Sequence, residues 1–284
     1  MPHSPAQIGS RAQLRVLKKS APGFFLDSGG ELGNILLPLN EVHGPCEVDA
    51  QVDVFIYCDS EDRPVATMKQ PLAMPGEFAC LKCVSRTPIG SFLDWGLAKD
   101  LFVPFREQSS RLEIGKSYVV YVYVDTESER IVASRRIQRY LSKEEPNFTN
   151  HQEVELMVYA KTDLGYKAII NGTHSGLLFA NEVFGNLAPG EKLTGYIAKL
   201  RKDGKIDLTL QPPGKTTAEK MDDLETRIER ELAARKGFWS LCDSSPPEEI
   251  YQALGVSKKA FKKATGALYK KRKITISADG IRSL

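Results

Sequence analysis

Aromatic and cationic side chains recur at fixed offsets from three glycines in this 284-residue chain. Phe25 and Phe92 each stand two residues after a glycine, in GFFLD and GSFLD, and Lys167 takes that place in the third copy, GYKAI. Four residues before the same glycines stand Lys19, Arg86 and Lys161, and Arg15 and Lys82 form a second aligned pair where the third copy has Met157. A ring beside a cation suits single-stranded nucleic acid: the ring stacks on a base and the cation neutralises a phosphate, whatever the sequence bound. Taken singly, each such ring also suits plain barrel packing and each such Lys a solvated surface.

A second cluster lies near the C-terminus. The stretch SKKAFKKATGALYKKRK holds eight basic residues in seventeen, and no acid occurs between Glu249 and Asp279. From Lys215 to the end there are 15 basic and 10 acidic residues, a local +5, against a net +3 for the whole chain and hence −2 for residues 1–214. At about 100° per residue, Phe261, Ala264, Thr265 and Leu268 form an apolar stripe. Lys259, Lys262, Lys263, Lys270 and Lys273 face the other way, with Gly266 among them. An apolar stripe opposed by a cationic face is the pattern of a helix that binds nucleic acid. Because the face is nearly all Lys, with Arg272 the exception, it suits phosphates better than base edges, which favour Arg, Asn and Gln. A membrane-surface helix is the other reading of a basic amphipathic segment, but this stripe is narrow and holds Ala and Thr.

The elements that must position these residues follow from the repeat. About ten residues beyond each glycine run ILLPLNEV (35–42), LFVPFREQ (101–108) and GLLFANEV (176–183), and each copy closes with two strands about a charged turn. Arg63, Arg130 and Lys205 stand four residues before Thr67, Ser134 and Thr209 in those closings. Short runs rich in Val, Ile, Phe and Tyr, broken by Gly, Pro and charges, predict about five antiparallel strands per copy, a small closed barrel of the OB kind. Alternation predicts Phe24 and Leu26 inside the first barrel and Phe25 with Asp27 outside. After Pro213 the pattern turns helical: Leu224, Ile228 and Leu232 at i, i+4, i+8, then PPEEIYQAL, then the basic helix capped by Ser257, then ITISADGIRSL as a hairpin. Helix, helix, turn, helix, hairpin is the order of a winged helix-turn-helix. The expected fold is therefore mainly β with a small α/β tail. Three tandem five-stranded OB-type barrels occupy 1–70, 71–145 and 146–213, and a winged-helix domain occupies 214–284.

The Gly-plus-aromatic strand, the xLLxxxNE strand and the RIxxS closing strand resemble the S-one motif, the RNA-binding OB barrel named after the largest protein of the small ribosomal subunit. Three such units followed by a winged helix resemble the conserved virulence factor B (CvfB-like) family of bacterial proteins over essentially the whole chain. The resemblance implies RNA binding with a regulatory, non-enzymatic role in gene expression and virulence. It also marks departures: the third-strand position where such barrels carry His holds Pro38, Pro104 and Phe179 here. The candidate RNA-binding residues are Lys19, Phe25, Lys82, Arg86, Phe92, Lys161, Lys167, Phe179, Lys259, Lys262, Lys263, Gly266, Lys270 and Lys273.

Other chemistry finds little support. Cys80-x-x-Cys83 has no second pair, and on a strand its two thiols point to opposite faces. GKTT at 214–217 lacks the glycine a phosphate loop needs upstream, since Thr209 stands there. The four His show no metal or catalytic spacing. No enzyme activity, cofactor, metal or small-molecule substrate is expected. An apolar fraction of 42% and a charged fraction of 26% are ordinary for a globular protein. The absence of an 18-residue apolar run and of a signal peptide, with five scattered cysteines, leads to the expectation of a cytoplasmic protein. Single-stranded RNA is the favoured partner. A DNA-binding regulator working through the winged helix, a scaffold on the ribosome and a nuclease are the alternatives.

Overall fold

The computed structural model describes residues 6–284 except 181, 184, 185, 213, 215 and 216, and for 217–220 the backbone alone. The GKTT stretch and the end of the third apolar run thus fall partly outside the described residues. The chain divides into two compact units, Met1–Lys143 and Glu144–Leu284, each taken by itself below.

The first unit holds two barrels. The first is built from β1 (Arg11–Lys19), β2 (Gly23–Asp27), β3 (Asn34–Pro38), β4 (Gln51–Cys58) and β5 (Pro64–Thr67). The second is built from β6 (Phe78–Thr87), β7 (Gly90–Asp94), β8 (Leu101–Pro104), β9 (Ser117–Val124) and β10 (Ile131–Ser134). The second unit opens with the third barrel, of β11 (Glu153–Thr162), β12 (Gly165–Ile170), β13 (His174–Phe179), β14 (Lys192–Leu200) and β15 (Ile206–Thr209). In all three the strands follow the order first, second, third, fifth, fourth and close on themselves, with the third and fifth parallel. Closure leaves no free edge, which is how five short strands make a stable unit.

The repeat extends to irregularities. Each first strand carries a bulge at the same place, between Val16 and Lys18, Cys83 and Ser85, and Val158 and Ala160. The repeat glycine is required by a close approach: a Cβ on Gly23 would lie 2.1 Å from the Leu37 carbonyl oxygen, and one on Gly165 2.0 Å from that of Leu178. Phe24 and Leu26 are buried while Phe25 is half-buried and Asp27 exposed, as strand alternation predicts. The first barrel has its own core, with Leu14, Val16, Phe24, Leu26, Ile35, Leu37 and Val54, while Phe55, Tyr57 and Val65 pack onto the core of the second, beside Leu81, Leu93, Trp95 and Val120, the Phe55 ring edge-on to Trp95 at 5.8 Å. Cys83 points into that core and Cys80, three residues earlier, is half-buried on the other face.

The second unit ends in the winged helix. It comprises α1 (Thr217–Ala234), β16 (Phe238–Trp239), α2 (Pro247–Leu254), α3 (Lys258–Lys270), β17 (Ile274–Ser277) and β18 (Gly280–Ser283). Its core takes Leu224, Ile228 and Leu232 from α1, Ile250 and Leu254 from α2, and Phe261, Ala264 and Leu268 from α3. Gly255 closes α2 in the left-handed region at φ 65°, and the Ser257 hydroxyl accepts from the Ala260 amide at 3.0 Å to open α3. The wing is a three-stranded sheet ordered β16-β18-β17, and its two-residue strand β16 is too short to leave a periodic signal in the sequence. Among the described residues no helix is long and apolar enough to cross a membrane, and no group of three or more His, Cys, Asp or Glu could hold a metal ion.

Candidate nucleic-acid interface

The singled-out barrel rings lie on second and third strands, and the singled-out cations, Lys167 apart, on first strands. In the first barrel Phe25 pairs with Leu36 across the ladder, and the β1 bulge brings Lys18 opposite Phe25, its ammonium 5.1 Å from the ring centre. Lys19 falls instead opposite Phe24, 5.6 Å from that buried ring. The cation on the half-exposed ring is therefore Lys18, one residue from the aligned one. A one-residue bulge reverses which residue shares a face with its partner, and nothing in the local sequence announces it.

In the second barrel Phe92 pairs with Phe102, their rings 5.1 Å apart and tilted by 40°. Both line a cleft with Ile89, Trp95, Arg130 and Val132, into which Tyr57 and Cys58 of the first barrel also project. Phe102 lay in an apolar run and carried no sequence signal of its own. Lys82 and Arg86 are exposed and make no ion pair with a described residue. Arg86 lies opposite buried Ser91 in the ladder, so it is not directly across from Phe92.

In the third barrel Lys167 is half-buried opposite Leu177, and Phe179 ends β13 opposite Gly165. The Arg201 guanidinium sits 5.7 Å from the Phe179 ring and pairs with Asp207 at 2.8 Å. Lys161 donates to Asn186 Oδ1 at 3.1 Å and lies 5.6 Å from the buried Tyr166 ring. The third face thus offers one ring, Phe179, clamped by an arginine that sequence reasoning passed over.

The basic helix is less uniform in space than along the chain. The acid-free window from 250 to 278 predicts a face of one sign. Packing of α1 against α3 brings Glu225 to Lys271 at 2.6 Å and Glu229 to Lys273 at 2.7 Å, and Asp243 stands 3.6 Å from Lys262. Glu225 is itself buried and holds the Lys271 ammonium above its ordinary pKa through their hydrogen bond. Lys259, Lys263 and Lys270 are exposed and make no ion pair with a described residue. Gly266 lies between the two groups, and a Cβ built on it would meet nothing within 4 Å. The helix therefore presents three free cations beside an open gap, with the acid-paired Lys262 next to them, while Lys271 and Lys273, just past its end, are tied to α1.

Family models agree with two of the barrels and with the winged helix. Residues 8–69 and 75–135 match the S1 domain family, and residues 226–282 match the CvfB-like winged helix domain. The chain is 28% identical over 280 residues to YitL of Bacillus subtilis, spanning 94% of this chain and 90% of that one. It is 22% identical over 283 residues to conserved virulence factor B of Staphylococcus aureus, spanning 96% and 93%. A solved Streptococcus pneumoniae structure, described as a multidomain protein with nucleic acid binding domains, covers 98% of both chains at 23% identity and a TM-score of 0.45. The S1 and winged-helix matches support nucleic acid binding by this chain.

Proposed function

We propose, from the CvfB-like winged helix and S1 matches and the likeness to conserved virulence factor B and YitL over most of the chain, that this is a cytoplasmic, non-enzymatic protein that binds single-stranded RNA and regulates gene expression after transcription. Three OB barrels, over 1–70, 71–145 and 146–213, offer bases a stacking surface, and the winged helix over 214–284 holds the backbone. The observation that carries this reading is the recurrence of a half-exposed ring on one barrel face: Phe25 under Lys18, Phe92 beside Phe102, and Phe179 under Arg201. Each such ring, stacked on a base, is worth about 1–3 kcal/mol. Each face is small, with one or two rings where a dedicated reader would gather more. Linking several on one chain raises the overall affinity through effective concentration without any new contact.

The winged helix also supports a second reading, duplex DNA, because α3 stands where a recognition helix would. Its free cations are all Lys, which neutralise phosphates but do not read base edges well, and this favours a strand held by its backbone. Ultraviolet crosslinking of bound RNA tests the choice. Crosslinks on Phe25, Phe92 or Phe102 together with α3 support the proposal, whereas crosslinks to α3 alone, with tighter binding to duplex DNA, overturn it.

A further inference from the structure

Tyr269 was not among the residues that sequence spacing singled out, yet it is the most exposed large aromatic among the described residues, at 57%. It makes no hydrogen bond, ring contact or cation–π contact with any described residue. Two other aromatics of the winged helix are covered by cations: Arg282 lies 4.3 Å from the Phe238 ring centre and Arg235 4.9 Å from that of Trp239. An exposed ring alone is unremarked on most surfaces. The surroundings of this one distinguish it.

In an α-helix Tyr269 lies about 60° from Gly266 around the axis and one turn beyond it. Helical side chains lean toward the N-terminus, so the Tyr269 ring borders the turn that holds Gly266 without covering it. That turn is empty, since even a Cβ on Gly266 would meet nothing within 4 Å. The free cations Lys259, Lys263 and Lys270 line one side of this gap. On the other side Lys262 is held by Asp243 at 3.6 Å. A flat ring beside a vacant shelf, with cations along one edge, fits a planar base attached to a phosphate.

We propose that Tyr269 stacks on one unpaired nucleobase of a single strand, with Gly266 leaving room for the base and Lys263 and Lys270 neutralising the adjoining phosphates. The winged helix would then read an exposed base as well as the backbone. A paired base buries both faces in its own stack and cannot use the ring, so this site selects single strands over duplex. The inference rests on the proposed RNA binding and adds to it a residue and a strand preference.

The test uses the full chain and a fluorescein-labelled single-stranded RNA of about a dozen nucleotides, with a duplex RNA of the same sequence as comparison. Tyr269→Ala is expected to weaken single-strand binding roughly 5- to 150-fold, and Tyr269→Phe to hold it within about twofold, because the ring and not the hydroxyl stacks. Duplex binding and the salt slope should stay unchanged in both, since no cation is lost. The proposal is overturned if Tyr269→Ala leaves single-strand affinity intact while Lys263→Gln lowers it, or if it weakens duplex and single strand equally. Failure of the unaltered chain to bind single-stranded RNA would instead remove the functional reading itself.

Discussion

The Thr67 hydroxyl donates a 2.6 Å hydrogen bond to the buried carboxylate of Glu41, and the same bond recurs from Ser134 to Glu107 and from Thr209 to Glu182, each at 2.6 Å. It ties the fifth strand of each barrel to the turn after the third, where the two run parallel and ladder bonds are few. Lys69 adds a 3.2 Å ion pair to Glu41, and Arg139 one of 3.6 Å to Glu107, while no described cation reaches Glu182. Thr67→Val and Ser134→Ala strand a buried carboxylate and should each cost about 1.5–3 kcal/mol in urea unfolding. Thr209→Val should cost less, because Glu182 is half-buried and can take water instead. Equal losses at all three positions would contradict this ordering.

Gly266 allows stability and binding to be separated. Its backbone is ordinary helix and a Cβ there is unobstructed, so Gly266→Ala should raise winged-helix stability by about 1 kcal/mol. If a base or phosphate occupies the gap, the same change weakens RNA binding. A variant that melts higher and binds less tightly is the expected pair of results, read by calorimetry and fluorescence anisotropy.

The ion pairs sort the lysines of α3 and of the residues just after it. Each free cation that meets a phosphate contributes about 0.7 to the slope of log affinity against log salt for a single strand. Lys259→Gln, Lys263→Gln and Lys270→Gln should each flatten that slope, whereas Lys271→Gln and Lys273→Gln should leave it nearly unchanged, because Glu225 and Glu229 already hold those ammonium groups. A titration of affinity between low and moderate salt reads the difference.

Burial where the first barrel packs on the core of the second, helped by the nearby charges of Glu41 and Asp59, pushes the Tyr57 phenol up to about 12. A folded-state pKa above the unfolded value means the native state holds the proton more tightly. The corresponding stability is fully present below about pH 10 and is lost as the pH rises through about 12. Unfolding measured at pH 9 and at pH 11.5 should show a smaller loss in Tyr57→Phe than in the parent chain.

Much of the fold was legible because a threefold repeat fixes strand, turn and register together. Gly23, Gly90 and Gly165 mark the place where a second strand crosses close to a third, and no other residue fits there. Phe24 against Phe25 followed from strand alternation alone. What escaped the sequence depends on distance along the chain. The exchange of Lys19 for Lys18 comes from a bulge, and the acids that balance Lys271 and Lys273 lie more than forty residues earlier, on α1. Phe102 and Arg201 acquire their roles only through strand pairing and ring contact, and Tyr269 only because nothing covers it.

Filter binding of the full chain to single-stranded RNA, single-stranded DNA and duplex DNA of one sequence tests the central claim most directly. The account predicts tightest binding to single-stranded RNA, weakened by Phe25→Ala with Phe92→Ala and, separately, by Lys259→Gln with Lys263→Gln. Tighter binding to duplex DNA, or single-strand binding indifferent to both pairs of substitutions, would contradict it.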